Sequence, residues 1–84
     1  MKKQPKIAVI IATWNYPKID GCLASLKKEK QNYKNMQLVV VDNASVNNEG
    51  QRIKKKFPWI FLIENKENKG FAKGNNIGIK YAIK

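Results

Sequence analysis

Asp42 closes a run of valines, Val39-Val40-Val41, and is the first residue whose position suggests chemistry. A carboxylate at the tip of a buried strand can accept hydrogen bonds from a base N–H or a ribose hydroxyl. The same residue can instead cap the turn that follows through its own backbone, and spacing leaves both roles open. Asn43 and Ser45, just beyond it, read as turn formers. Thr13-Trp14-Asn15 ends the first apolar run in the same way. Trp14 offers a flat face to a nucleobase or covers the top of the core. Asn15 is a turn residue or a polar contact, and Tyr16-Pro17 sets the entry to the next helix. The stretch Asn68-Lys69-Gly70-Phe71-Ala72-Lys73-Gly74-Asn75-Asn76 places two glycines where a helix begins. Close backbone approach and free N–H groups there suit a diphosphate, with Lys73 and Asn75 adding a charge and an amide; ordinary helix entry is the other reading. The glycines fit neither GxGxxG nor the Walker pattern. No paired acid/base carboxylates and no Ser/His/Asp or Cys/His set are present, and Glu64 and Glu67 have no assigned role.

Patterning along the chain gives the strands and helices around these residues. Ile7 to Ala12, Leu38 to Val41 and Ile60 to Ile63 are continuous apolar runs of strand length, as strands covered on both faces require. Between them lie helical patterns. Ile19, Cys22, Leu23 and Leu26 share one face of a first helix that fades through Lys27 to Lys30. Asn47 or Asn48 is the expected cap of a second helix, running through Ile53 to Phe57 and stopping at Pro58. A third runs from about Phe71, with Ala72, Asn76, Ile79 and Ile83 on one face; Gly78 within it implies tight packing of helix on sheet. Alternating strands and helices predict an α/β fold, a three-layer Rossmann-like β-α-β-α-β-α unit with a parallel sheet. Ligands of such sheets sit beyond the carboxyl ends of the strands, so Thr13 to Tyr16, Asp42 to Ser45 and Glu64 to Asn76 form the expected site.

The chain has 84 residues, enough for one small domain with a thin core. Its 17 basic and 6 acidic residues give a net charge of +11, which attracts phosphates of any kind or forms a solvated lysine face. No apolar run approaches the roughly 20 residues that span a bilayer. Cys22, the single cysteine, excludes an internal disulfide and suits a reducing cytosol; no histidine and one cysteine argue against a zinc site. The last helical segment carries no stop signal and the sheet keeps an open edge, so the chain reads as truncated, with self-association through that edge an expected hazard.

Taken in series, Val9-Ile10-Ile11-Ala12-Thr13-Trp14-Asn15, Val39-Val40-Val41-Asp42-Asn43-Ala44-Ser45 and Asn65 to Gly78 resemble the opening segments of the family 2 glycosyltransferases, the last in its rhamnosyltransferase-like form. The resemblance covers nearly the whole chain, as a single truncated domain over residues 1–84, and implies the N-terminal, nucleotide-binding half of a GT-A fold. It implies transfer of a sugar from a UDP- or dTDP-linked donor to a saccharide or lipid-linked acceptor, in cell-wall or polysaccharide biosynthesis. Carried over by position, Ala12, Thr13, Trp14 and Asn15 line the nucleoside pocket, and Asp42, with Asn43 beside it, meets the base. Lys73, Gly74, Asn75 and Asn76 lie beside the ribose and diphosphate. Trp14 stands where tyrosine is commoner. The family's Asp-x-Asp motif, which holds Mn2+ or Mg2+, and its general base lie beyond the last helix. The chain alone is therefore expected to bind no metal, to bind donor weakly at best and to transfer no sugar. The expected location is the cytoplasm, either free or peripheral at the cytoplasmic membrane face. The competing readings are a basic module for nucleic acid, whose aromatics do not interleave with the lysines as stacking requires, and another nucleotide-binding α/β protein with a regulatory role.

Overall fold

Apolar runs that need cover on both faces become strands in the middle of the molecule. A computed structural model describes residues 6–82. Strand β1 is Ile7–Thr13, β2 is Met36–Asp42 and β3 is Phe61–Glu64. Helix α1 is Ile19–Asn32, α2 is Glu49–Lys56 and α3 is Gly70–Ala82. The strands form one parallel sheet in the order β1-β2-β3. The register brings Thr13 opposite Asp42, and Asp42 opposite Glu64, so the three strands finish level at one edge. Two further bonds extend the ladder there: Asn43 N–H donates to the Thr13 carbonyl at 2.8 Å, and Asn65 N–H to the Asp42 carbonyl at 2.9 Å.

Alternation along each strand divides the side chains between two helical layers. On one face Leu38 and Val40 are buried with Ile19, Leu23, Ile53, Phe57 and Ile60, and Val9, Ile11 and Leu62 pack against them. Burying each such side chain contributes about 1.5–3 kcal/mol. On the other face α3 crosses β1 and β2, with Gly78 against Ile10 and Val41 and Gly74 against Ala12. Phe61 of β3 stacks on Tyr81 of α3, ring centroids 3.8 Å apart.

Four expectations change. In α3 the sheet-facing side is Gly74 and Gly78, while Ala72, Asn76 and Ile79 are exposed; Ile83 lies outside the described residues. Two glycines a turn apart let the helix backbone approach the sheet more closely than any larger side chain permits, and that contact decides which way the helix turns. In α1 Cys22 is exposed beside buried Ile19 and Leu23, and the helix continues through its lysines to Asn32. Lysine is a good helix former, and Lys30 satisfies the chain beyond by donating to the Met36 carbonyl at 2.6 Å. Lys54 repeats this arrangement at the end of α2, donating to the Ile60 carbonyl at 2.5 Å. Asn48 precedes α2 in the left-handed conformation, φ 55°, without a side-chain cap, so its contribution is to the turn. Strand ends shift by one or two residues, β2 starting at Met36 and β3 at Phe61.

Candidate functional site

The level strand ends carry three loops, and hydrogen bonds among short polar side chains bind these loops to one another. Asn15 takes φ 49°, a left-handed turn that asparagine tolerates. Its N–H donates to Ser45 Oγ at 2.8 Å, and its Oδ1 accepts the Val46 N–H at 2.9 Å. Ser45 in turn donates to Asp42 Oδ1 at 2.5 Å. The loop after β1 is thereby clasped to the loop after β2. Asn43 joins the third: its Oδ1 accepts from Asn65 Nδ2 at 2.7 Å, and its Nδ2 donates to the Gly70 carbonyl at 3.3 Å. Gly70, at φ 82°, begins α3 with its N–H on Asn68 Oδ1 at 2.8 Å.

Between the β1–α1 loop and the start of α3 opens a cleft of about 510 Å³. Ile11, Ala12, Thr13, Trp14, Tyr16, Ile19 and Cys22 form one side, and Asn43, Asn68, Gly70 and Phe71 the other. Trp14 is 56% exposed and Phe71 73%, so two large aromatic surfaces face solvent at the cleft. Exposed aromatics around a concavity with a few polar groups are the usual make-up of a small-molecule site.

Of the residues singled out from the sequence, Ala12, Thr13, Trp14 and Asn43 come together in this cleft. Asp42 lies behind Asn43, 4% exposed, and acts on the cleft through Ser45 and Asn15. Asn15 is turned to the Ser45–Val46 turn. Gly74 is buried beneath Asn43 and Ala12, Asn75 is half-buried, and Lys73 and Asn76 are exposed; none of the four lines the cleft. Tyr16, Ile19, Cys22, Asn68 and Phe71 do line it. Phe71 had a signal in the sequence: a bulky aromatic directly after the glycine that begins a helix.

Beside the site, α1 and α2 are joined by charge. Arg52 reaches Asp20 through both terminal nitrogens, at 2.9 and 2.7 Å, and Glu49 at 2.5 Å; Lys56 adds a contact to Asp20 at 2.8 Å. The Arg52 bond, with Lys56 second, holds the Asp20 carboxyl well below the usual carboxylate range. The same guanidinium lowers Glu49, and the two carboxylates push Arg52 up. Among the described residues no three His, Cys, Asp or Glu side chains assemble into a metal-binding set, so those residues do not by themselves fit a divalent cation. No helix among them is long and apolar enough to cross a membrane.

An open parallel sheet with a cleft at the carboxyl ends of its strands defines a ligand-binding α/β domain of the nucleotide-binding kind. The profile of glycosyl transferase family 2 matches residues 8–83, and the chain belongs to that family. It corresponds to the N-terminal part of the family's GT-A domain. The mannosyltransferase PcManGT from Pyrobaculum calidifontis, solved in complex with GDP-Man and Mn2+, superposes with a TM-score of 0.77 at 26% identity. That likeness covers 94% of this chain and 25% of the mannosyltransferase, so the chain spans about a quarter of that enzyme's length. No curated protein sequence matches the chain.

Proposed function

We propose that the cleft receives the nucleoside of a nucleotide-sugar donor, and that the chain is the donor-binding part of a glycosyltransferase. The observation that carries this is the aromatic-walled cleft at the strand ends, between Trp14 and Phe71, in a chain of this family. Support comes from the mannosyltransferase of the same fold, which was solved with GDP-Man. In this reading a base packs on Trp14, and the buried Asn43 amide, held by Asn65 and Gly70, presents fixed polarity at the floor. Asp42 positions Ser45 and the Asn15 turn. Lys73, exposed on the first turns of α3, is the proposed contact to the diphosphate, with Asn75 and Asn76 beside it. The donor is UDP- or dTDP-linked and the acceptor a saccharide or lipid-linked saccharide. In the whole transferase a divalent cation bound to the donor diphosphate supplies charge neutralisation; this chain's residues bind and orient the nucleoside. The chain by itself transfers no sugar.

The test is a titration of the labelled chain with UDP, dTDP and GDP, followed by amide correlation spectra, with and without Mg2+. Shifts confined to Thr13, Trp14, Asn43 and Phe71, with UDP or dTDP binding more tightly than GDP and Mg2+ changing nothing, are expected. A well-dispersed spectrum in which no nucleotide moves those signals overturns the reading.

A further inference from the structure

The excess positive charge of this chain does not lie where its cleft is. Of the 6 acidic residues, Asp20, Asp42, Glu49, Glu64 and Glu67 sit at or beside the carboxyl ends of the strands, where α1, α2 and α3 begin, and they balance Lys18, Lys66, Lys69 and Lys73 there. The opposite edge, where α1 and α2 end and β2 and β3 begin, carries Lys27, Lys28, Lys30, Lys34 and Lys54, with Glu29 as its acidic residue. Binding of a nucleotide at the cleft makes no use of this edge.

A hollow of about 370 Å³ opens on that edge, lined by Lys27, Lys30, Gln31, Lys34 and Trp59. Lys27, Lys30 and Gln31 fall at i, i+3 and i+4 on one face of α1, and Lys34 follows in the loop, whereas Glu29 projects from the opposite side of the helix. None of the ion pairs among the described residues involves Lys27, Lys30 or Lys34. Lys30, in the last turn of α1, bonds two backbone carbonyls beyond the helix, of Met36 at 2.6 Å and Lys34 at 3.5 Å, and its charge there offsets the negative helix end that would repel an anion. The indole Nε1 of half-buried Trp59 is buried with no hydrogen-bond partner, an unfavourable arrangement when left unmet.

We propose that this hollow binds a phosphate group, at a site separate from the cleft. Three lysines line it without a carboxylate among them, and lysine binds phosphate as a point charge. A phosphate carries more charge and more acceptor oxygens than a carboxylate, and so satisfies several of these donors at once. When the long lysine side chains part to admit it, an oxygen also comes within reach of the Trp59 N–H. Extended nucleic acid is the poorer match, because one half-buried indole offers no face on which successive bases can stack. The phosphate is that of a lipid headgroup or of a soluble phosphomonoester.

The chain's 2 tryptophans supply independent reporters, Trp14 at the cleft and Trp59 at the far edge. The labelled chain is titrated with inorganic phosphate at constant ionic strength, and separately with vesicles of phosphatidylcholine alone or with phosphatidate. Saturable movement of the Trp59 indole signal and of amides 27–34, with the Trp14 indole still, is expected. A K27Q/K34Q double variant, altered only at the surface, binds about 25-fold more weakly, each lysine near an anionic surface contributing about fivefold. Movement with inorganic phosphate alone identifies a soluble ligand, and binding to phosphatidate vesicles that phosphate reverses identifies a headgroup; both support the site. No saturable Trp59 shift with either probe overturns it, as does undiminished binding by the double variant.

Discussion

Ser45 donates its hydroxyl to the Asp42 carboxylate at 2.5 Å while its oxygen accepts the Asn15 N–H at 2.8 Å. One small side chain therefore couples the tip of the central strand to the loop that carries Trp14. Ser45→Ala leaves a nearly buried carboxylate without its donor and the Asn15 N–H without its acceptor. The expected loss is about 1–3 kcal/mol of stability by urea denaturation. Weaker UDP binding accompanies it, because the turn that presents Trp14 is released. An unchanged denaturation midpoint shows that the clasp contributes nothing.

The glycines of the helices divide into two kinds. A methyl on Gly74 would stand 2.7 Å from Asn43 Nδ2 and 3.2 Å from the Ala12 Cβ, and one on Gly78 would overlap Ile10; Gly21, in α1, has nothing within 4 Å. Alanine is favoured over glycine in a helix by about 1 kcal/mol, whereas overpacking costs about 1–3 kcal/mol. Gly21→Ala therefore raises the melting temperature, while Gly78→Ala and Gly74→Ala lower it. A melting temperature raised by Gly78→Ala would show that α3 does not lie on the sheet as described.

Trp14 and Phe71 are exposed enough that their removal leaves the core intact. Trp14→Ala and Phe71→Ala each weaken UDP binding by about tenfold, as the loss of an aromatic contact of about 0.5–1.5 kcal/mol implies at its upper end. The melting temperature stays within a degree or two of the wild type. Calorimetric titration checks the first, and thermal scans the second. Binding unaffected by both substitutions moves the nucleoside elsewhere.

Acid weakens the joint between α1 and α2. Asp20 and Glu49 are held below their ordinary values of 3.8 and 4.5, chiefly by the Arg52 bonds. Depressed folded values mean that both carboxylates add stability above about pH 5, and that this is lost as the pH falls through the lower folded values. Arg52→Gln lowers stability at neutral pH by about 1 kcal/mol or less, since the network faces solvent. The gap between variant and wild type closes as the pH drops below about 3. A gap independent of pH assigns the effect of Arg52 to packing instead.

The layers, and the edge at which the site lies, are written in local patterning. Val39-Val40-Val41 and Ile7 to Ala12 are apolar at every position, and such runs are stable only between two covered faces, so their strand identity and the loops that end them are local properties. Thr13, Trp14 and Asn43 were therefore legible as neighbours before any contact was known. The direction in which α3 turned was decided by the tertiary structure: apolar periodicity favours Ala72 and Ile79, but close approach at Gly74 and Gly78 depends on Ile10, Ala12 and Val41 in other strands. Phe71 joined Trp14 in one cleft for the same reason, since the orientation of α3 places it there. The pairing of Ser45 with both Asp42 and Asn15, and the gathering of the lysine excess at the edge away from the cleft, likewise follow from how distant segments pack. Periodicity records what each residue needs from its surroundings, and only the packed chain shows which partner meets that need.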